Sequence, residues 1–212
     1  MRKLLIPLLG LLLLLAGLYY FVPRYTNYHV PIPAIAPKKE TVDKTVAKLK
    51  VQAAKGKAFA QSKKLSTDVA FFIDMSQPSG RYRFFVYDYK KDSILEKGLV
   101  AHGSCNTRYL ESAQFSNTPE SGCSSLGKYK VSYSYKGQFG KAYKLNGLDS
   151  SNSNAFNRFV VLHAYDCVPD REVYPQPICN SLGCPMVSYA FLGKLSGYID
   201  QSAKPTLLWI YK

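Results

Sequence analysis

Residues 159–164 read Phe159-Val160-Val161-Leu162-His163-Ala164. A continuous apolar run rich in β-branched and aromatic side chains reads as a strand that leaves a buried sheet and ends with an imidazole at its rim. Such a position suits a general base, because a rigid strand fixes the ring while its tip stays accessible. Working outward, runs of the same texture occupy 70–75, 83–89, 98–102, 128–135, 142–145 and 206–211. Turn-like clusters separate them, among them Gln77-Pro78-Ser79-Gly80, Asn146-Gly147 and the polar stretch 149–154. The exception is 188–200, where Ser188 can cap a helix whose apolar face is Phe191, Leu192, Leu195 and Ile199. The fold class expected is mainly β with one or two helices, spanning residues 65–212, with no internal repeat.

Upstream the texture changes twice. Arg2 and Lys3 precede an apolar run over 4–22 broken only by Pro7, long enough at about 1.5 Å per residue to approach the roughly 30 Å hydrocarbon core. Gly17-Leu18-Tyr19-Tyr20-Phe21 follows the leucines where a small-x-small cleavage site would stand, so residues 1–22 read as an uncleaved signal anchor, with a cleaved signal peptide as the alternative. Everything after residue 23 is then exported. Pro23, Pro31, Pro33 and Pro37 make 23–37 an extended spacer in which His29 is inert. Residues 38–64 form a Lys-rich helical segment, with Val42, Val46, Leu49 and Ala53 at helical spacing and the lysines on its solvated face.

The 212 residues carry 28 Lys plus Arg against 14 Asp plus Glu, a net charge of +14. Most of that excess lies before residue 65, and no run in the β region interleaves Arg with aromatics as an RNA-binding strand does. Nucleic acid is therefore not an expected partner. The 17 tyrosines and 11 phenylalanines exclude a disordered chain.

Chemistry must come from few groups. Besides His29 and His163 there is only His102, at the end of Leu99-Val100-Ala101-His102-Gly103. Downstream, Ser181-Leu182-Gly183-Cys184-Pro185 displays a thiol on a turn: Gly183 permits close backbone approach, and Pro185 stops a central strand. Near an imidazole the Cys184 thiol would be partly thiolate, with the Gly183 and Cys184 amides facing a developing oxyanion. Five cysteines in an exported chain leave at least one thiol unpaired. Short separations favour Cys105 with Cys123 and Cys167 with Cys179, one of three pairings that four cysteines allow; Cys184 is then left over. His163, Cys167, Cys179 and Cys184 also form a Cys3His set that zinc would accept, but they lack a close Cys-x2-Cys pair. No cofactor or metal is expected.

Six blocks then occur in order: Phe72-Ile73-Asp74-Met75-Ser76, Val100-Ala101-His102-Gly103, Phe115-Ser116-Asn117, Ser124-Ser125-Leu126-Gly127, Val161-Leu162-His163 and Gly183-Cys184-Pro185. Together they resemble the murein L,D-transpeptidase catalytic domain family, in a divergent YkuD-like branch of Bacteroidetes type, over residues 69–212. The resemblance implies a β-sandwich-type catalytic domain in which Cys184 attacks a peptidoglycan stem peptide and His163 moves the proton. Ser181 stands at the family's small hydroxylated position, and His102, which recurs in these blocks, as a residue lining or orienting the site beside the oxyanion candidate Gly183. The resemblance implies stem peptides as donor and acceptor, while the N-terminal segment makes the membrane a partner and places the protein in the cell envelope, on the periplasmic side of the inner membrane or exported to the periplasm. Water as acceptor would make the protein an L,D-carboxypeptidase, and loss of catalysis would leave a silent wall-binding module. The family's basic residue two positions after the nucleophile is Met186 here, and Arg158 or Arg108 is the replacement to look for.

Overall fold

A computed structural model describes residues 39–212, with side chains from Lys44 onward. The expected signal anchor at 1–22, the spacer at 23–37 and His29 lie outside the described residues. Among the described residues no helix is long and apolar enough to cross a membrane.

Helix α1 (Lys39–Ser62) leads into strands β1 (Val69–Asp74), β2 (Phe84–Asp88), β3 (Ser93–Gly98), β4 (Gly127–Gly137) and β5 (Gly140–Gly147). A 3-10 turn (Ser150–Asn152), β6 (Val161–Ala164), β7 (Met186–Val187), α2 (Tyr189–Asp200) and β8 (Leu207–Tyr211) complete the chain. The strands form one eight-stranded sheet in the order β3-β2-β1-β8-β4-β5-β6-β7. The two-sheet sandwich expected from the resemblance is therefore a single mixed sheet. Its β1·β8 and β6·β7 pairs are parallel and the other five are antiparallel.

Alternation along the central strands explains where the helices sit. Phe71 and Ile73 of β1, with Leu208 and Ile210 of β8, face a core closed by Phe191, Leu192 and Leu195 of α2. Ala70, Phe72, Leu207 and Tyr211 face the opposite way, against Leu49, Ala53 and Ala60 of α1. Each helix thus covers one face. Ser188 caps α2 as the sequence indicates, its hydroxyl accepting from the Phe191 N–H at 3.2 Å. The buried faces of both helices hold apolar side chains worth about 2 kcal/mol each when fully covered.

The lysines of α1 do more than solvate it. Lys48 donates to Asp74 Oδ1 at 3.0 Å and to Ser76 Oγ at 2.9 Å, Lys50 pairs with Asp92, and Lys57 reaches the Tyr89 carbonyl. Since Asp74 is fully buried, its Lys48 contact anchors the helix to the end of β1.

Two local expectations change. Segment 98–102 is not a strand beyond Gly98: it makes one single bridge, Ala101 to Met186, with a second just after it from Gly103 to Ser181. Asn146-Gly147 is not a turn but the end of β5, paired with Lys130 and Tyr129; the hairpin turns at Gly137–Gly140 instead. Glycine at 147 serves close packing, because a Cβ there would lie 1.9 Å from the Asn152 carbonyl oxygen.

Candidate active site

Strand β6 sits between β5 and β7, with His163 opposite Ala142 on one side and Met186 on the other. Cys184 lies in the bend just before β7, two residues ahead of the Met186 that pairs with His163. Cys184 and His163 line one cleft of about 530 Å³ together with Arg108, Phe139, Tyr165 and Leu182.

The cysteine pattern holds. Cys105 is bonded to Cys123 and Cys167 to Cys179, leaving Cys184 as the free thiol. The Cys3His set considered for zinc is not assembled, since two of its sulfurs are joined to each other.

His163 is nearly buried, and its Nδ1 lies 3.0 Å from the Ala164 carbonyl oxygen. A carbonyl only accepts, so Nδ1 carries the proton and Nε2 presents a lone pair. One ring face stacks on Phe139 from the β4–β5 turn, with centroids 4.7 Å apart and planes inclined by 23°. Burial pulls the imidazole below its ordinary range, only partly offset by the Ala164 hydrogen bond.

The Cys184 sulfur receives the Val161 N–H at 3.4 Å and lies 3.8 Å from the Phe159 carbonyl, to which its S–H donates. Burial pushes the thiol up, while the Val161 N–H and the charges of Lys144 and Arg158 pull it down. The net direction is upward. Where the sequence suggests a partly ionised resting thiol, desolvation favours the neutral form instead.

The loop carrying Cys184 is fixed by its own hydroxyl. Ser181 Oγ accepts from the Gly183 N–H at 3.1 Å and donates to the Cys184 carbonyl at 2.7 Å. Gly183 has φ +110°, and a Cβ there would lie 2.6 Å from the Cys123 carbonyl oxygen, so backbone sign and space both require glycine. The Gly183 amide expected at an oxyanion thus donates to Ser181 instead. Ser181 is a brace of the loop as well as part of the cleft wall.

His102 does not line the cleft. It is fully buried beneath it, its Nδ1 accepting from Arg83 Nη2 at 2.9 Å and its Nε2–H donating to the Leu110 carbonyl at 3.0 Å. Burial and the Arg83 charge pull it down to about 4, which keeps it neutral. Its backbone carbonyl accepts the Ser181 N–H at 2.8 Å. Asn180 joins the same network, grasping Leu110 through both its N–H and its carbonyl. His102 therefore supports the Cys184 loop from behind.

The two arginines separate. Arg158 donates to the carbonyls of Ser116 and Cys123, at 2.8 and 2.6 Å, and so secures the loop packed against Gly183. Arg108 is exposed on the cleft itself. Phe139, Asn180 and Lys144 escape a reading of the sequence; only Lys144, a charge within the apolar run 142–145, leaves a visible signal there.

Among solved structures, the chain resembles an L,D-transpeptidase from Xylanimonas cellulosilytica at 14% identity and TM-score 0.37, covering 68% of this chain and 60% of that one. An L,D-transpeptidase from Mycobacterium tuberculosis gives 14% and 0.36, covering 68% and 58%. The helical cell shape determining protein Pgp2 from Campylobacter jejuni gives 11% and 0.40, covering 68% and 47%. The chain thus spans about half the length of these proteins. No curated protein matches the sequence. A family profile described as the L,D-transpeptidase catalytic domain matches residues 38–211, taking in α1 as well as the whole sheet. On that match, the chain belongs to the L,D-transpeptidase catalytic domain family.

Proposed function

We propose that this domain is a cysteine-dependent L,D-transpeptidase that remodels peptidoglycan through an acyl-enzyme thioester, on the periplasmic side of the membrane to which residues 1–22 anchor it. The observation that carries the reading is the shared cleft of Cys184 and His163, with Nδ1–H tied to Ala164 and Nε2 left as the acceptor. The thiol proton turns from the Phe159 carbonyl to Nε2 as sulfur attacks the carbonyl at the L-centre of the donor stem's diamino acid. The C–N bond to the terminal D-alanine then breaks, and the imidazolium returns the proton to the leaving amine. In the second half, His163 takes a proton from an acceptor stem's amine, which attacks the thioester; the C–S bond breaks and the imidazolium returns its proton to the sulfur. Each half begins and ends with a neutral pair, which is the state that burial favours here.

With the Gly183 amide held by Ser181, the Cys184 amide is the member of the expected pair left for the oxyanion. Arg108 supplies the cleft's exposed guanidinium and takes the place of the missing basic residue, reading a stem carboxylate. Intact-mass measurement of the full chain with a disaccharide tetrapeptide should show a transient increase on Cys184, loss of D-alanine and formation of cross-linked dimer. A chain that stays unmodified under these conditions, with a folded domain and a titratable thiol, would sink the proposal. Arg108→Ala is expected to raise the donor KM about tenfold with kcat little changed, the pattern of lost uniform binding. An unchanged KM would remove Arg108 from donor recognition.

A further inference from the structure

Lys144 lies on β5 directly opposite Val161, the residue whose N–H meets the Cys184 sulfur. Lysine is seldom buried without a counter-charge, yet this one is 7% exposed and pairs with no carboxylate among the described residues. Its ammonium is instead held over two rings, 4.9 Å from the centroid of Phe156 and 4.7 Å from that of Phe159. Phe159 is itself unusual: the residue is 75% exposed, its backbone is left-handed at φ +55°, and its carbonyl is the acceptor of the Cys184 thiol. The residue that cages the lysine therefore also holds the sulfur. Aromatic faces attract a cation without neutralising it, so the full charge of Lys144 remains available to the neighbouring atom that turns negative.

We infer that Lys144 is a positioning residue for the reaction's negative charge, an ammonium caged by Phe156 and Phe159 beside Cys184 to stabilise the thiolate as it forms. The inference rests on the reading of Cys184 as the nucleophile. Mutual electrostatics agree with it. Burial lowers Lys144 and the Cys184 charge raises it, while Lys144 in turn pulls Cys184 down against its own burial. In a site whose resting pair is neutral, such a charge acts where it is needed, on the ionised sulfur, and the low exposure of Lys144 limits its screening.

Lys144 from β5, Arg158 from the turn before β6 and Tyr129 from β4 interact electrostatically with Cys184, and His163 from β6 shares its cleft. Of these, Lys144 can be altered without touching the base or the loop that Arg158 secures. The test is the pH profile of Cys184 alkylation by iodoacetamide, measured by mass on the full chain in detergent, where no other cysteine is free. Lys144→Met keeps the stem and removes the charge, and should raise the midpoint by about one unit, a tenfold loss of thiolate at a fixed pH below it. Lys144→Arg should stay within about a third of a unit of the wild type. Phe159→Gly, which suits the left-handed backbone, opens the cage to water and should give an intermediate midpoint. Wild-type midpoints in Lys144→Met and Phe159→Gly would overturn the inference and reduce Lys144 to packing. Should Lys144→Met not fold, Phe159→Gly and Lys144→Arg decide between them. Failure of the nucleophile reading looks different: the midpoint would still respond to Lys144, but no stem peptide would ever load onto the sulfur.

Discussion

Cys184→Ala is expected to abolish covalent capture of a stem peptide while shifting the melting temperature by no more than about 2 °C. The chemical half follows from the count of sulfurs: four of the five cysteines are in disulfides, so no other thiol can form a thioester. The stability half follows from how weakly the thiol is held. The sulfur accepts one long N–H contact and donates to one carbonyl at 3.8 Å, neither a strong bond, and a partly exposed loop position has little packing to forfeit. What fixes the loop is the Ser181 hydroxyl and the Gly183 backbone, and both remain. Intact mass after incubation with substrate, together with a thermal melt, checks both halves. Residual acylation in the variant would place the nucleophile elsewhere; a collapse of the melt would make Cys184 structural.

The second large effect is expected from the paired change Cys105→Ala with Cys123→Ala. Removing a bridge across 18 residues should cost about 3 kcal/mol on the chain-entropy account. Activity should fall further than that loss alone would bring about, at least tenfold at a temperature where the protein stays folded. The reason is where the bridge sits. Gly103 pairs with Ser181 and the Ser104 N–H reaches the Ser181 carbonyl on one side of it, while the Ser124 hydroxyl reaches the Gly183 carbonyl on the other. Arg158 ties the Cys123 carbonyl into the same patch. The bridge joins the two segments between which the nucleophile loop is held, so its loss loosens the sulfur's aim as well as the fold. Turnover at matched folded fraction, against the wild type and against the paired change Cys167→Ala with Cys179→Ala, separates the two contributions. Equal turnover per folded molecule would show that the bridge acts on stability alone.

How much of this can be read from the sequence depends on how each signal is encoded. Strands β1, β2, β6 and β8 announce themselves because their side chains are buried on both faces, which leaves continuous apolar runs. Strand β3, Ser-Ile-Leu-Glu-Lys-Gly, does not, because it lies at the sheet's edge with most of its residues half-buried and tolerates charge. β7 has only two residues, too few for any pattern, although its pairing of Met186 with His163 brings the Cys184 loop to the end of β6. That Cys184 is the leftover thiol is legible from the cysteine count, and that His163 sits in a buried strand from the apolar run before it. His102 is easily misplaced because a histidine at the end of an apolar run looks the same whether it emerges or is capped by Arg83 and the Leu110 carbonyl, contacts that span 19 and 8 residues. Gly183 is recognisable as a necessary glycine, but the partner that takes its amide, Ser181, depends on a loop conformation that spacing does not encode.

Under the proposed reaction, the ring of Phe139 against His163 has an implication for how the two stems come and go. With one face shielded by the hairpin tip and Nδ1 tethered behind, the imidazole offers a single working edge, and both partners must use it in turn. The departing D-alanine has to clear that doorway before the second stem can enter, so the kinetics should follow a strict exchange order with the D-amino acid leaving first.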